Sequence, residues 1–113
     1  MIEDYRFGRV VVSGETYTSD VIIFPDHVRA DWWRRKGHEL CREDIAQIVA
    51  ARPEIVVVGT GAYGRVEVLP DAEEALAAIG TKIIAERTAR ACDTFNALVG
   101  EGRYVVAALH LTC

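Results

Sequence analysis

The sequence predicts an α/β domain: a largely parallel or mixed sheet covered on both faces, with an N-terminal β-hairpin. Three observations lead there. Strand-length apolar runs alternate with segments of helical spacing in the order β-β, then α-β-α-β-α-β, and such alternation places crossover helices against the faces of a sheet. Ile55-Val56-Val57-Val58 is a continuous β-branched run without polar alternation, as in a strand buried on both faces. Half of the 113 residues are hydrophobic, enough for one domain over residues 1–113 to fold without disulfides or a structural metal.

The elements follow in order. Arg9-Val10-Val11-Val12 and Val21-Ile22-Ile23-Phe24 read as strands, and the Ser13-Gly14-Glu15 break between them suggests that they pair as the hairpin. Residues 25–42 read as irregular, with Pro25, Gly37 and the run Trp32-Trp33-Arg34-Arg35-Lys36. Ile45, Ile48 and Val49 fall at helical spacing, and Pro53 closes that helix. After Ile55–Val58 comes Gly59-Thr60-Gly61-Ala62-Tyr63-Gly64, then an extended Arg65-Val66-Glu67-Val68. Pro70 starts a second helix, where its missing N–H costs little, with Ala72, Ala75, Leu76 and Ile79 as the apolar stripe and Gly80 at the end. Lys82-Ile83-Ile84-Ala85 reads as a further buried strand. Thr88 can cap a third helix, whose inward face is Ala91, Cys92, Phe95, Leu98 and Val99. Tyr104-Val105-Val106-Ala107-Ala108-Leu109 is the last strand.

Bulk properties exclude several classes. A formal net charge of −4 lacks the basic footprint of a general nucleic-acid binder. No apolar run approaches the roughly 20 residues of a membrane span. Met1-Ile2-Glu3-Asp4 has no basic n-region before an apolar stretch, which predicts no secretory signal, and no Arg/Ser-rich transit peptide is evident. Cys41, Cys92 and Cys113, without C-x-x-C spacing, suggest free thiols in a reducing compartment, most simply the cytoplasm.

Gly59-x-Gly61-x-x-Gly64 follows a strand, and Glu86 lies about 20 residues further on, as a dinucleotide fingerprint requires. That chemistry needs a helix opening at the loop. Here the chain reads as extended until Pro70, so a structural turn is the better reading, with an anion at the loop N–H groups as the functional alternative. His110 and Cys113 could pair as imidazole and thiol. On one extended strand, a spacing of three points them to opposite faces, and a terminal carboxylate beside Cys113 disfavours a thiolate. His27, His38, His110 and the cysteines show no metal-ligand spacing, so neither metal nor cofactor is expected. Trp32-Trp33-Arg34-Arg35-Lys36 reads either as one tryptophan anchoring the loop with the cations in water, or as a protein contact. The carboxylates at the starts of the helices suit the positive dipole ends and form no acid–base pair. No G-x-S-x-G, H-E-x-x-H or P-loop is present.

Taken together, Asp20-Val21-Ile22-Ile23-Phe24-Pro25, Trp33-Arg34-Arg35-Lys36-Gly37-His38, Val57-Val58-Gly59-Thr60-Gly61, Phe95-Asn96-Ala97-Leu98 and Ala107-Ala108-Leu109-His110-Leu111-Thr112-Cys113 resemble the Mth938-like domain family, a domain of unknown function, over nearly the whole chain. The resemblance implies a three-layer β+α/β/α fold with a mixed central sheet. It implies no established enzyme activity, and its relatives include a mitochondrial complex I assembly factor. Carried over by position, it marks Gly59, Thr60, Gly61, Asn96 and His110 as a candidate ligand-binding surface, with Trp33 and His38 in the early motif. Phe95 stands where the family often has tyrosine, which puts a role for that hydroxyl in doubt. With no presequence, a bacterial chain is the simpler reading.

The expectation is therefore a non-catalytic protein-binding or assembly module, in respiratory or membrane-complex biogenesis, that uses Trp33, Arg34, Arg35 and His38 against an unidentified protein partner. The alternative is a small-ligand or anion-binding domain, or a weak enzyme, using the Gly59–Gly61 loop and His110. No catalytic residue is assigned. A homodimer is the commonest assembly where there is one, and nothing in the residues requires it.

Overall fold

The computed structural model describes residues 1–113 as ten strands and three α-helices. The strands are β1 (Ile2–Arg6), β2 (Arg9–Val12), β3 (Glu15–Tyr17), β4 (Val21–Ile23), β5 (Val28–Arg29), β6 (Glu39–Leu40), β7 (Ile55–Gly59), β8 (Glu67–Val68), β9 (Lys82–Glu86) and β10 (Val105–Leu109). The helices are α1 (Ala46–Ala51), entered through a 3-10 turn at Arg42–Ile45, then α2 (Pro70–Ala78) and α3 (Thr88–Gly100). The central sheet has the order β5-β4-β10-β7-β9. β7 is parallel to both β10 and β9, while β4 runs antiparallel to β10 and to β5. It is thus the expected mixed sheet.

Successive residues of a strand face opposite ways, and this sheet buries both sets. Val21, Ile23, Ile55, Val57, Val105, Ala107 and Leu109 pack with Val10 and Val12 of β2 and with Ala91 and Phe95 of α3. Ile22, Val56, Val58, Val106 and Ala108 pack against Trp32, Leu40, Ile45, Ile48, Ala72 and Leu76. One face is covered by a small sheet plus a helix and the other by two helices, the β+α/β/α layering. Each fully buried Val or Ile contributes roughly 1.5–3 kcal/mol.

The N-terminal hairpin has other partners than the sequence suggests. β2 pairs with β1 and β3, not with Val21–Phe24. Ser13 and Gly14 both have positive φ (47° and 83°), as in the two-residue turns that reverse a chain at once. Val12 therefore faces Glu15, and the chain is free to carry Val21–Ile23 into the central sheet. β9 is one of the two edge strands, with Lys82 and Ala85 exposed, whereas its sequence reads as buried. α1 stops at Ala51 because Arg52 turns left-handed (φ 50°) just ahead of Pro53. Thr88 is the first residue of α3 and makes no N-cap; its hydroxyl serves the site described next.

Candidate functional site

At the C-terminal ends of β7 and β10, where ligand sites of α/β sheets gather, the chain makes two close passes. The first is the glycine loop. A Cβ on Gly59 would lie 2.8 Å from Leu109 Cδ2 and 3.0 Å from Thr88 Oγ1. At Gly61, with φ +108°, it would lie 2.6 Å from the Cys113 carbonyl oxygen and 2.9 Å from the His110 ring. Gly59 is crowded by Leu109 of β10 and Thr88 of α3, and Gly61, with its positive φ, by the Cys113 backbone and the His110 ring. Thr88 joins the pieces: its hydroxyl donates to the His110 carbonyl (2.6 Å) and accepts from the Gly61 N–H (2.9 Å).

The loop holds no free nest of amides. Thr60 N–H donates to Glu86 O, Gly61 N–H to Thr88 Oγ1, Ala62 N–H to Thr112 O and Gly64 N–H to Gly61 O. The chain stays non-helical until Pro70, so no helix N-terminus faces the loop as a dinucleotide would need. The loop is a cradle for residues 110–113.

The second pass brings Arg34 under the sheet end. Arg34 Nη2 donates to Asp20 Oδ2 at 2.7 Å, and His110 Nδ1 lies 2.8 Å from the same oxygen. Asp20 Oδ1 accepts the Leu111 N–H at 2.8 Å. Burial pushes the Asp20 carboxyl up, but the hydrogen bonds from His110, the Leu111 N–H and Arg34, with the Arg34 charge, outweigh it and hold the group below the ordinary carboxylate value. His110 Nδ1 also lies 3.0 Å from Arg34 Nη2, so this nitrogen donates to Asp20 in one tautomer and accepts from Arg34 in the other, while Nε2 lies 3.4 Å from Thr112 Oγ1. Arg34 Nε donates to the Gly37 carbonyl, and its Nη1 is buried without a partner.

Two further groups lie near the His110 ring. Cys113 Sγ lies 3.5 Å from His38 Nε2. The rings of His38 and His110 meet edge-on at 5.8 Å between centroids. The ligand atoms of His38, His110 and Cys113 all lie within 4.8 Å of one another. The strand rule that separates His110 from Cys113 fails because β10 ends at Leu109. His38 comes from a segment distant in sequence, while His110 and Cys113 share the last one, which is why spacing along the chain does not show the cluster.

The structure thus joins residues that the sequence divides between two surfaces. Arg34 and His38 share one cluster with His110 and the Gly59–Gly61 loop. Arg34 does not face water; its side chain is 4% exposed. Asn96 lies elsewhere, binding the Ile2 N–H and carbonyl (2.9 and 2.7 Å) and so tying β1 to α3. Trp32 is the anchor, buried with its indole N–H on the Asp44 carbonyl. Trp33 is 73% exposed. Arg35 is exposed beside Glu43, while its N–H is fixed by Asp44. Asp20 and Thr88 are site residues that sequence reasoning missed.

Comparison with known proteins gives a consistent family. A family model described as "Protein of unknown function (DUF498/DUF598)" matches residues 2–110. NADH dehydrogenase [ubiquinone] 1 alpha subcomplex assembly factor 3 of Xenopus tropicalis is 32% identical over 111 residues, 96% of this chain. The chain spans 59% of that protein's length. A conserved hypothetical protein from Pyrococcus horikoshii OT3 superposes with a TM-score of 0.85 at 26% identity, covering 100% of this chain and 99% of that one. An Mth938-like domain from Bordetella pertussis superposes at 0.80 with 24% identity over 97% of this chain and 84% of that one, a likeness of fold. No helix is long and apolar enough to cross a membrane.

Proposed function

We propose a function from one premise: the chain belongs to the DUF498/DUF598 family, and its fold is Mth938-like. The reading is a non-catalytic assembly module that holds a protein partner during the biogenesis of a membrane-bound respiratory complex. The supporting relative is named as an assembly factor for such a complex. Three free cysteines suit work in the reducing cytoplasm.

The single observation that carries the reading is Trp33. Exposed large aromatics held in a rigid frame make binding anchors, because little freedom is lost when they are covered. Trp33 stands between buried Trp32 and the buried Arg34 side chain, which also lies over the Trp32 ring at 4.9 Å. Arg35 and Lys36 are exposed beside it, a charged rim for an acidic partner surface.

The test is genetic and biochemical. Deletion of the gene should lower the amount of an intact respiratory complex on native gels. Wild type should restore it, and Trp33→Ala, folded by circular dichroism, should not. Full rescue by Trp33→Ala removes the role of this residue, and a deletion without any assembly defect removes the assembly reading itself.

A further inference from the structure

We propose that His38, His110 and Cys113 form a Zn2+ site with three protein ligands and an open fourth position. It goes beyond the assembly reading and does not depend on Trp33.

The donor set selects the metal. Two imidazoles and a thiol suit a borderline-soft ion and offer nothing to Mg2+ or Ca2+, which take oxygen ligands. The spacing is that of a site ready to close. In a tetrahedral zinc site, bond lengths near 2.0–2.3 Å put neighbouring ligand atoms about 3.3–3.7 Å apart. His38 Nε2 and Cys113 Sγ are already at 3.5 Å, and all three ligand atoms are within 4.8 Å of one another. His38 is exposed and Cys113 half-exposed, so both side chains can swing the remaining distance.

The surroundings supply what metal-binding histidines need. Such a histidine gives its second ring N–H to a carboxylate, which fixes the tautomer and aims the free nitrogen at the metal. Buried Asp20 is placed to accept that bond, its Oδ2 lying 2.8 Å from His110 Nδ1, in the tautomer that turns Nδ1–H to the carboxylate and not the one that accepts from Arg34 Nη2 at 3.0 Å. The Arg34 charge, which would oppose a cation, is paired with the same carboxylate at 2.7 Å. Gly61 lets Cys113 lie against the loop, since any Cβ there would collide with the Cys113 backbone. With three protein donors, the fourth position is left for water or a donor from a bound molecule, as in zinc sites that keep an open position.

Co2+ reports the site directly. Added to the reduced, metal-free protein, it should give the visible bands of tetrahedral Co2+ and a near-ultraviolet thiolate-to-metal charge-transfer band. Zn2+ should displace it at one equivalent, and excess Mg2+ should not. Cys113→Ser should lose the charge-transfer band. His38→Ala should weaken Zn2+ binding by at least about tenfold, no less than loss of an outer hydrogen-bond partner does. Both residues lie outside the strands and helices, so these variants keep the fold, as circular dichroism will verify. Octahedral Co2+ with wild type, or the same spectrum and affinity in both variants, overturns the proposal.

Discussion

The two ends of the central sheet each carry a carboxylate–arginine pair at the same distance, in opposite surroundings. Before β7 and β10, Arg103 Nε meets Glu54 Oε1 at 2.7 Å, with side chains 39% and 50% exposed. After them, Arg34 Nη2 meets Asp20 Oδ2 at 2.7 Å, with side chains 4% and 10% exposed. The difference teaches that distance alone does not set what a charge pair does. Water already solvates the first pair and competes for it. The second is out of water, so Asp20 must be matched at both oxygens, and it is, by Arg34, His110 and the Leu111 N–H. The outer pair decorates the fold, whereas the inner one fixes the orientation of a histidine.

The largest expected effect breaks the inner pair. Asp20→Ala leaves Arg34 buried without its counter-charge and should cost about 3–5 kcal/mol in urea unfolding. A loss too small to resolve would put the inner pair on the same footing as the outer one. A third case sharpens the comparison, since Cys92 is buried beside a like charge and has no opposite one. Burial first, then Asp93, pushes its thiol up from 9.0 to about 12. Its folded value is raised, so the unfolded chain gives up the proton first. The stability tied to the neutral thiol is complete below pH 9.0 and is lost as pH rises toward about 12. Cys92→Ala should therefore flatten the alkaline fall in unfolding free energy, and an unchanged slope would contradict the assignment. The smallest effect belongs to the outer pair. Glu54 is held below the ordinary carboxylate value mainly by the hydrogen bond from Arg103, yet Glu54→Ala should leave the urea midpoint unchanged, because solvent replaces the exposed partner. A large drop would mean that exposure does not separate the two ends.

Much of the fold is legible because burial and periodicity coincide. Ile55–Val58 reads as a doubly buried strand and is one, while Pro70 marks the start of α2. The misreadings have local causes. Lys82–Ala85 has buried-type composition at an edge, since composition does not say which strands find two neighbours. The hairpin error rests on Ser13-Gly14, a turn tight enough to bring in Glu15–Tyr17 as the next strand. The candidate site is half legible. Gly59, Gly61 and His110 can be named from their motifs, but Asp20 cannot, because its role depends on β4 pairing with β10. Val21 faces Leu109 in that register, which sets the residue before one strand beside the residue after the other. Cys113 is named with His110 as a thiol–imidazole pair but set aside, for a similar reason. The strand rule applies only while the chain is a strand, and residues 110–113 are not.

The most direct measurement concerns the proton on the His110 ring. Nitrogen–proton correlation through the imidazole carbons distinguishes the two neutral tautomers. The proposed zinc site requires the proton on Nδ1, given to Asp20 Oδ2 at 2.8 Å, with Nε2 free for the metal. A ring carrying its proton on Nε2, with Nδ1 accepting from Arg34, would contradict it and leave this end of the sheet without a free donor.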